Sequence, residues 1–176
     1  MLNSLLNLNN KKKEVTFMKV YKLFRMRKGN LYPLYVNAKE AMVIGEWIKS
    51  KPGELVDDTH VKASGAGGKL RLRSGFHSTD VPFTDWIGER QDDGTLAQRK
   101  DCVWCECEVR GTEVEAKTKN GYDIVPENSY YYYKTNTKQE RPWVISDWIK
   151  INKILDARQI ADICHSMGIE PQKLAV

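Results

Sequence analysis

Apolar and polar residues alternate with a period of two over several stretches of this chain, and with helical spacing in two others. Alternation places successive side chains on opposite faces of a strand. Lys19 to Arg27 and Leu31 to Val36 read this way on either side of Lys28-Gly29-Asn30, which predicts a hairpin turning at the glycine. Leu70 to Arg73 alternates again, with Arg71 and Arg73 on one face and the two leucines on the other. In Cys102 to Arg110, Val103, Cys105, Cys107 and Val109 share an apolar face, while Trp104, Glu106 and Glu108 share the opposite one. After a turn at Pro126-Glu127-Asn128, the run SYYYYKTN divides four tyrosines between two faces, and one pair is expected in the core. Trp143 to Ile145 and Trp148 to Ile154 are the last strands, the second with Ile149 and Ile151 inside.

Helical spacing gives two predictions. Asn37 to Ser50 carries a capping-box pair at Asn37 and Glu40, an apolar stripe at Ala41, Ile44 and Ile48, and a stop at Lys51-Pro52-Gly53. Asp156 and Gln159 form a second capping box, followed by Ile160, Ile163, Cys164 and Met167 at i, i+3, i+4 and i+7, with Gly168 closing the helix. Residues 54 to 68 show no period and contain SGAGG, which predicts a mobile loop. Strands thus outnumber helices without a regular βαβ alternation. The expected fold is α+β, a mostly antiparallel sheet or two with a C-terminal helix and long loops.

Composition adds limits. A chain of 176 residues, 41% apolar and 29% charged, reads as one soluble globular domain with a sizeable core. The net charge of +5 is concentrated in residues 1 to 28, which hold eight Lys/Arg and one acid, so the remainder is slightly acidic. A general nucleic-acid surface is not implied. No stretch approaches the roughly 18 apolar residues of a membrane helix, and the leucines of the start precede its lysines, the reverse of a secretion signal. Residues 1–17 are expected to be a disordered basic arm, 18–170 the domain and 171–176 a tail, with Met18 an alternative translation start. The spacing C-x-x-C-x-C at Cys102, Cys105 and Cys107 suggests metal, but alternation turns Cys102 away from Cys105 and no second Cys/His cluster lies nearby. Structural core cysteines in a reducing compartment are expected, and no metal site.

Candidate chemistry gathers in LRLRSGFHSTDVPFTDWIGE, residues 70 to 89. Gly75 permits a turn, so His77, Ser78, Thr79 and Asp80 are expected at the end of a strand, with Asp80 and Pro82 starting a short helix. Local turn chemistry accounts equally for Gly, Ser, Thr and Asp there.

The segments KLRLRSGFHSTDVPF, DCVWCECEV, VPENSYYYYKTN and WVISDWIKINKIL resemble a family of uncharacterised proteins from gut bacteriophages and Bacteroidales mobile elements, from about Tyr21 to Ile163. The resemblance implies an accessory protein made in the bacterial cytoplasm and brings no activity with it. In element order the chain also resembles ADP-ribosyltransferases, which carry Arg or His on an early strand, a strand ending in Ser-Thr, and a later strand bearing Glu-x-Glu. That resemblance implies an NAD cofactor held by Arg25, Ser78 and Thr79, tyrosines such as Tyr131 against the nicotinamide, and catalysis by Glu106 or Glu108 beside His77. A carboxylate would stabilise the oxocarbenium-like centre, and an Arg fork would pair with pyrophosphate. A metal-dependent hydrolase or nuclease using His77, Asp80, Asp85 and one of those glutamates is a second enzyme reading. The third is a non-catalytic binder of a host protein or small ligand, built on Arg71 and Arg73 with Trp86, Trp104 and tyrosines.

Overall fold

A computed structural model of the chain describes residues 14–115 and 124–175. Two 12-residue strands, β1 (Thr16–Arg27) and a later partner, run antiparallel through its centre. β1 turns at Lys28-Gly29 into β2 (Asn30–Tyr32), the expected hairpin. β3 (Trp47–Lys49) comes next, then β4 (Leu55–Asp57), β5 (His60–Lys62) and β6 (Lys69–Arg71), which pair as a small separate sheet. β7 (Phe76–Ser78) follows Gly75, and β8 (Glu89–Arg90) and β9 (Leu96–Ala97) form a short ribbon. β10 (Cys102–Glu113) is the long partner of β1. β11 (Ser129–Tyr133), β12 (Trp143–Ser146) and β13 (Trp148–Ile154) lead to the helix α1 (Ala157–Ser166).

The main sheet has the order β2-β1-β10-β11-β12-β7, with β13 on β10 and β3 on β13. The pairing is antiparallel except between β10 and β11. β12 and β13 are separated only by Asp147, where the chain leaves β11 and joins β10. That buried carboxylate accepts from the Asn128 backbone N–H at 2.9 Å and the Ser50 hydroxyl at 3.1 Å, which fixes the corner. Beyond β7, Tyr21 and Thr79 exchange two backbone hydrogen bonds of 2.8 Å, tying its end to β1. One bridge is no ladder, so the sheet bends back on itself without closing into a barrel.

Both faces are covered where the C-terminal half of β1 meets the N-terminal part of β10. Val20, Phe24, Cys105, Cys107, Val109, Tyr130, Val144, Ile149 and Ile151 form the inner core. Tyr21, Leu23, Cys102, Trp104 and Leu155 form a second core, against which Ile160 and Ile163 of α1 pack. Fully burying one such aliphatic side chain contributes about 1.5–3 kcal/mol. The capping box is present: the Asp156 carboxylate accepts from Gln159 N at 2.8 Å, and the Gln159 side chain accepts from Asp156 N at 3.0 Å. All four cysteines are free and buried. Burial raises the Cys105 thiol to about 12 and pushes Cys107 up as well, so neither is a thiolate at neutral pH.

Several expectations are corrected. Residues 37–50 are not a helix: Asn37 has φ 54°, Met42 bridges Leu31, Ile44 bridges Ile151, and β3 pairs with β13. Non-local pairing wins over a weak helical stripe. Residues 54–68, expected to be a mobile loop, contain two strands of the small sheet. His77 and Ser78 lie within β7, after Gly75, not at the end of the preceding strand. No helix starts at Asp80. The tyrosines sort along β11 instead of by face, Tyr130 and Tyr131 being buried and Tyr132 exposed. Residues 1–13 of the expected arm lie outside the described residues, while Thr16 and Phe17 already pair with Gly111 and Arg110. The tail is docked: Ala175 donates to Gln98 O at 2.8 Å, and the Gln172 amide donates to Ile87 O and Leu96 O.

Candidate functional site

A cavity of about 840 Å³ is lined by residues of β1, the 33–53 segment, the small sheet, the 73–79 stretch, and the ends of β11 and β12. Its wall depends on Gly75. This residue has φ 109°, and a Cβ there would stand 2.6 Å from Ile145 Cγ2 and 3.2 Å from Val125 Cγ1. Only glycine lets the chain turn this close to β12. The turn sets Arg73 against Tyr133, with the guanidinium carbon 3.5 Å from the ring centre. It also sets the His77 ring edge-on to Trp143, at 6.3 Å between centroids. The β1–β7 bridge brings Lys22 over the same stretch, where its Nζ donates to the His77 backbone carbonyl at 2.7 Å.

The lining is strongly biased in charge. Among the described residues it includes Lys22, Lys49, Lys51, Arg71 and Arg73, against the single carboxylate of Glu40. Lys49 is paired with Glu127 and Lys51 with Glu40, each at 2.8 Å. Burial, followed by the charges of Lys22 and Arg73, lowers the His77 imidazole to about 3. It is therefore neutral at physiological pH and a weak general base. Burial also lowers the Lys22 ammonium to about 8. Three buried polar atoms on lining residues have no hydrogen-bond partner among the described residues: Arg73 Nε, Ser78 Oγ and Trp104 Nε1. Buried donors without acceptors are rare and call for an explanation.

Of the residues singled out in the sequence, Arg71, Arg73, His77, Ser78, Thr79 and Trp86 come together on this cavity. Thr79 is engaged structurally, its hydroxyl donating to Val81 O at 2.6 Å. The others lie elsewhere. Asp80 forms an ion pair with Arg141, and Arg25 pairs with Asp101 at 3.2 Å. Glu106 sits between Lys19 at 3.6 Å and Lys153 at 3.8 Å, and Glu108 binds Lys150 at 2.6 Å. Tyr131 is buried in a third core cluster with Val125, Trp143 and Ile145. Trp104 is not on an open polar face; it is buried to 1% exposure beneath α1, and it also lines the cavity. Among the described residues, no three His, Cys, Asp or Glu side chains are placed to hold a metal ion, so His77, Asp80 and Asp85 do not form such a group. No helix there is long and apolar enough to cross a membrane.

Lys22, Tyr133 and Trp143 also line the cavity. Tyr133 is one of the tyrosines offered for binding, Trp143 carries no signal of function in the sequence, and Lys22 left only a trace: it interrupts an otherwise apolar face of β1 between Val20 and Phe24. Comparison with protein-family models, with curated proteins and with solved structures finds no match to the chain.

Proposed function

We propose that this protein binds a small anionic ligand carrying a planar ring, and that binding, not turnover, is its primary activity. The observation that carries this is the cavity's lining: among the described residues, five basic side chains and one carboxylate, interleaved with Tyr35, Trp86, Tyr133 and Trp143. Apolar walls with a few convergent polar groups are the usual form of a small-molecule site. Arg73 supplies a fork for phosphate or carboxylate while its flat face rests on Tyr133. A neutral His77 adds a hydrogen-bonding ring without adding charge. The lack of a free carboxylate in the described lining favours binding over the transferase chemistry, which needs one at the reacting carbon. NAD and 5′-nucleotides belong to the ligand class. An accessory protein of a phage or mobile element that sequesters such a compound fits this reading.

The test is a thermal-shift and calorimetry series with NAD, AMP and adenosine. A ligand at a hundred times its Kd stabilises by about 2.7 kcal/mol, on the order of 5–10 °C for a domain of this size. AMP or NAD is expected to raise the midpoint, adenosine to raise it much less, and Arg73→Ala to remove the difference while the protein stays folded. Equal responses to AMP and adenosine, or none to any anion of the series, would refute the reading.

A further inference from the structure

Lys22 differs from the other lysines of the cavity. Lys49 and Lys51 are each held by a glutamate. Among the described residues Lys22 forms no ion pair, and its Nζ donates to a backbone carbonyl, His77 O. Its backbone is fixed on both sides, by the ladder to Cys105 of β10 and by the neighbouring Tyr21–Thr79 bridge. Its strand neighbours on the same face, Val20 and Phe24, are fully buried, yet Lys22 keeps some accessible surface and lines the cavity. A lysine so rigidly placed and without a carboxylate partner suits the role of a nucleophile.

Resting on the reading of the cavity as an anion-and-ring site, we infer that Lys22 is its covalent anchor and holds aldehydes or ketones bearing an anionic group as an imine. The uncharged amine adds its lone pair to the carbonyl carbon, and the π electrons of the C=O bond move to oxygen. One N–H proton passes to that oxygen, giving a carbinolamine. The C–O bond then breaks, the oxygen leaves as water with the second N–H proton, and the nitrogen lone pair closes the C=N bond. No oxidant or reductant enters. Once protonated, the imine nitrogen keeps one N–H, which continues to donate to His77 O. Arg73 faces the ligand's anionic group. The buried setting that weakens the ammonium raises the amine fraction near neutral pH above that of an exposed lysine.

The experiment uses pyridoxal 5′-phosphate, which carries a ring, a phosphate and an aldehyde, with borohydride trapping and peptide mapping by mass spectrometry. Pyridoxine 5′-phosphate, the matching alcohol, reports binding without the covalent step. With limiting aldehyde, Lys22 is expected to be labelled about tenfold or more above the exposed lysines. Lys22→Arg should lose that adduct, with Lys22→Met in its place if arginine does not fit; the alcohol's thermal shift is read in the wild type. If the alcohol stabilises the protein but the aldehyde marks surface lysines in preference to Lys22, the covalent role is overturned and the binding site stands. If neither compound binds or labels the cavity, both fall together.

Discussion

On the outer face of β10, Glu106 lies between Lys19 and Lys153, Glu108 binds Lys150, and Arg110 rests between the rings of Trp47 and Trp148 at 4.7 and 4.3 Å. Within the cavity, Lys22 has a backbone carbonyl and the Phe24 ring at 5.6 Å, and Arg73 has a tyrosine ring and an Nε with no partner among the described residues. Both regions are charged, but the cations of the first are held by carboxylates or rings, whereas among the described residues Lys22 and Arg73 of the second form no ion pair. Pairs at a partly exposed face contribute about 0–1 kcal/mol each and are tolerated almost anywhere. A buried cation without a carboxylate works against folding, because desolvation is not offset by attraction. Such an arrangement is expected where a ligand supplies the missing charge. On the proposed reading the cavity is the binding region, and the glutamates of β10 maintain the surface of a strand.

The largest effect should come from closing the turn that builds the cavity wall. Gly75→Ala forces a Cβ to within 2.6 Å of Ile145 at a φ that side chains rarely adopt. The expected loss is about 2–4 kcal/mol in chemical denaturation. Gly29→Ala, at φ 79° with nothing within 4 Å, isolates the backbone strain and should cost only about 1 kcal/mol. Equal costs at the two sites would mean that β7 does not pack on β12 as described.

The next effect distinguishes the two regions by acid. The unfolded chain takes up the His77 proton near pH 6.5, the folded chain only near 3. Unfolding therefore binds a proton between these values, so stability present above pH 6.5 is lost as pH falls towards 3. The slope is at most about 1.4 kcal/mol per pH unit, or roughly 2 kcal/mol between pH 6.5 and 5. His77→Phe keeps an aromatic ring beside Trp143 and cannot titrate, so its stability should fall less steeply over that interval. An unchanged slope in the variant would show that His77 is not held neutral by burial beside Lys22 and Arg73.

What the sequence disclosed of this contrast follows from how local each signal is. The β1–β2 hairpin, the alternation of β10, Ile149 and Ile151 of β13, and the Asp156–Gln159 box depend on neighbours in the chain, and all are present. The strand β3 and the bridges of Met42 and Ile44 depend on partners far along the chain, and a faint helical stripe concealed them. Of the small sheet, β6 fell within the alternation of Leu70 to Arg73, whereas β4 and β5 were hidden because each has three residues, too few to display a period. Of the site, Arg73 and His77 were visible as chemistry beside a glycine. Lys22 was not, since its position depends on β7 returning to β1 across more than fifty residues. The Glu-x-Glu of β10 stood out in the sequence, although simple alternation on a partly exposed face produces the same pattern.

The smallest effect tests that last point. Glu106 and Glu108 should be dispensable to binding, because each is occupied by lysines on the sheet face away from Lys22. Glu108→Gln keeps the shape of the side chain and removes half of the pair with Lys150, whose two partners are 29% and 27% exposed. The expected cost is within about 1 kcal/mol, falling further with added salt. Glu106→Gln should behave alike. The thermal shift given by AMP or NAD should be the same in both variants as in the wild type, since neither carboxylate lines the cavity. A variant that keeps its stability and loses its response to the ligand would reverse the comparison. It would place a β10 glutamate on the ligand and return the transferase chemistry to the front, with the cavity as its nucleotide subsite.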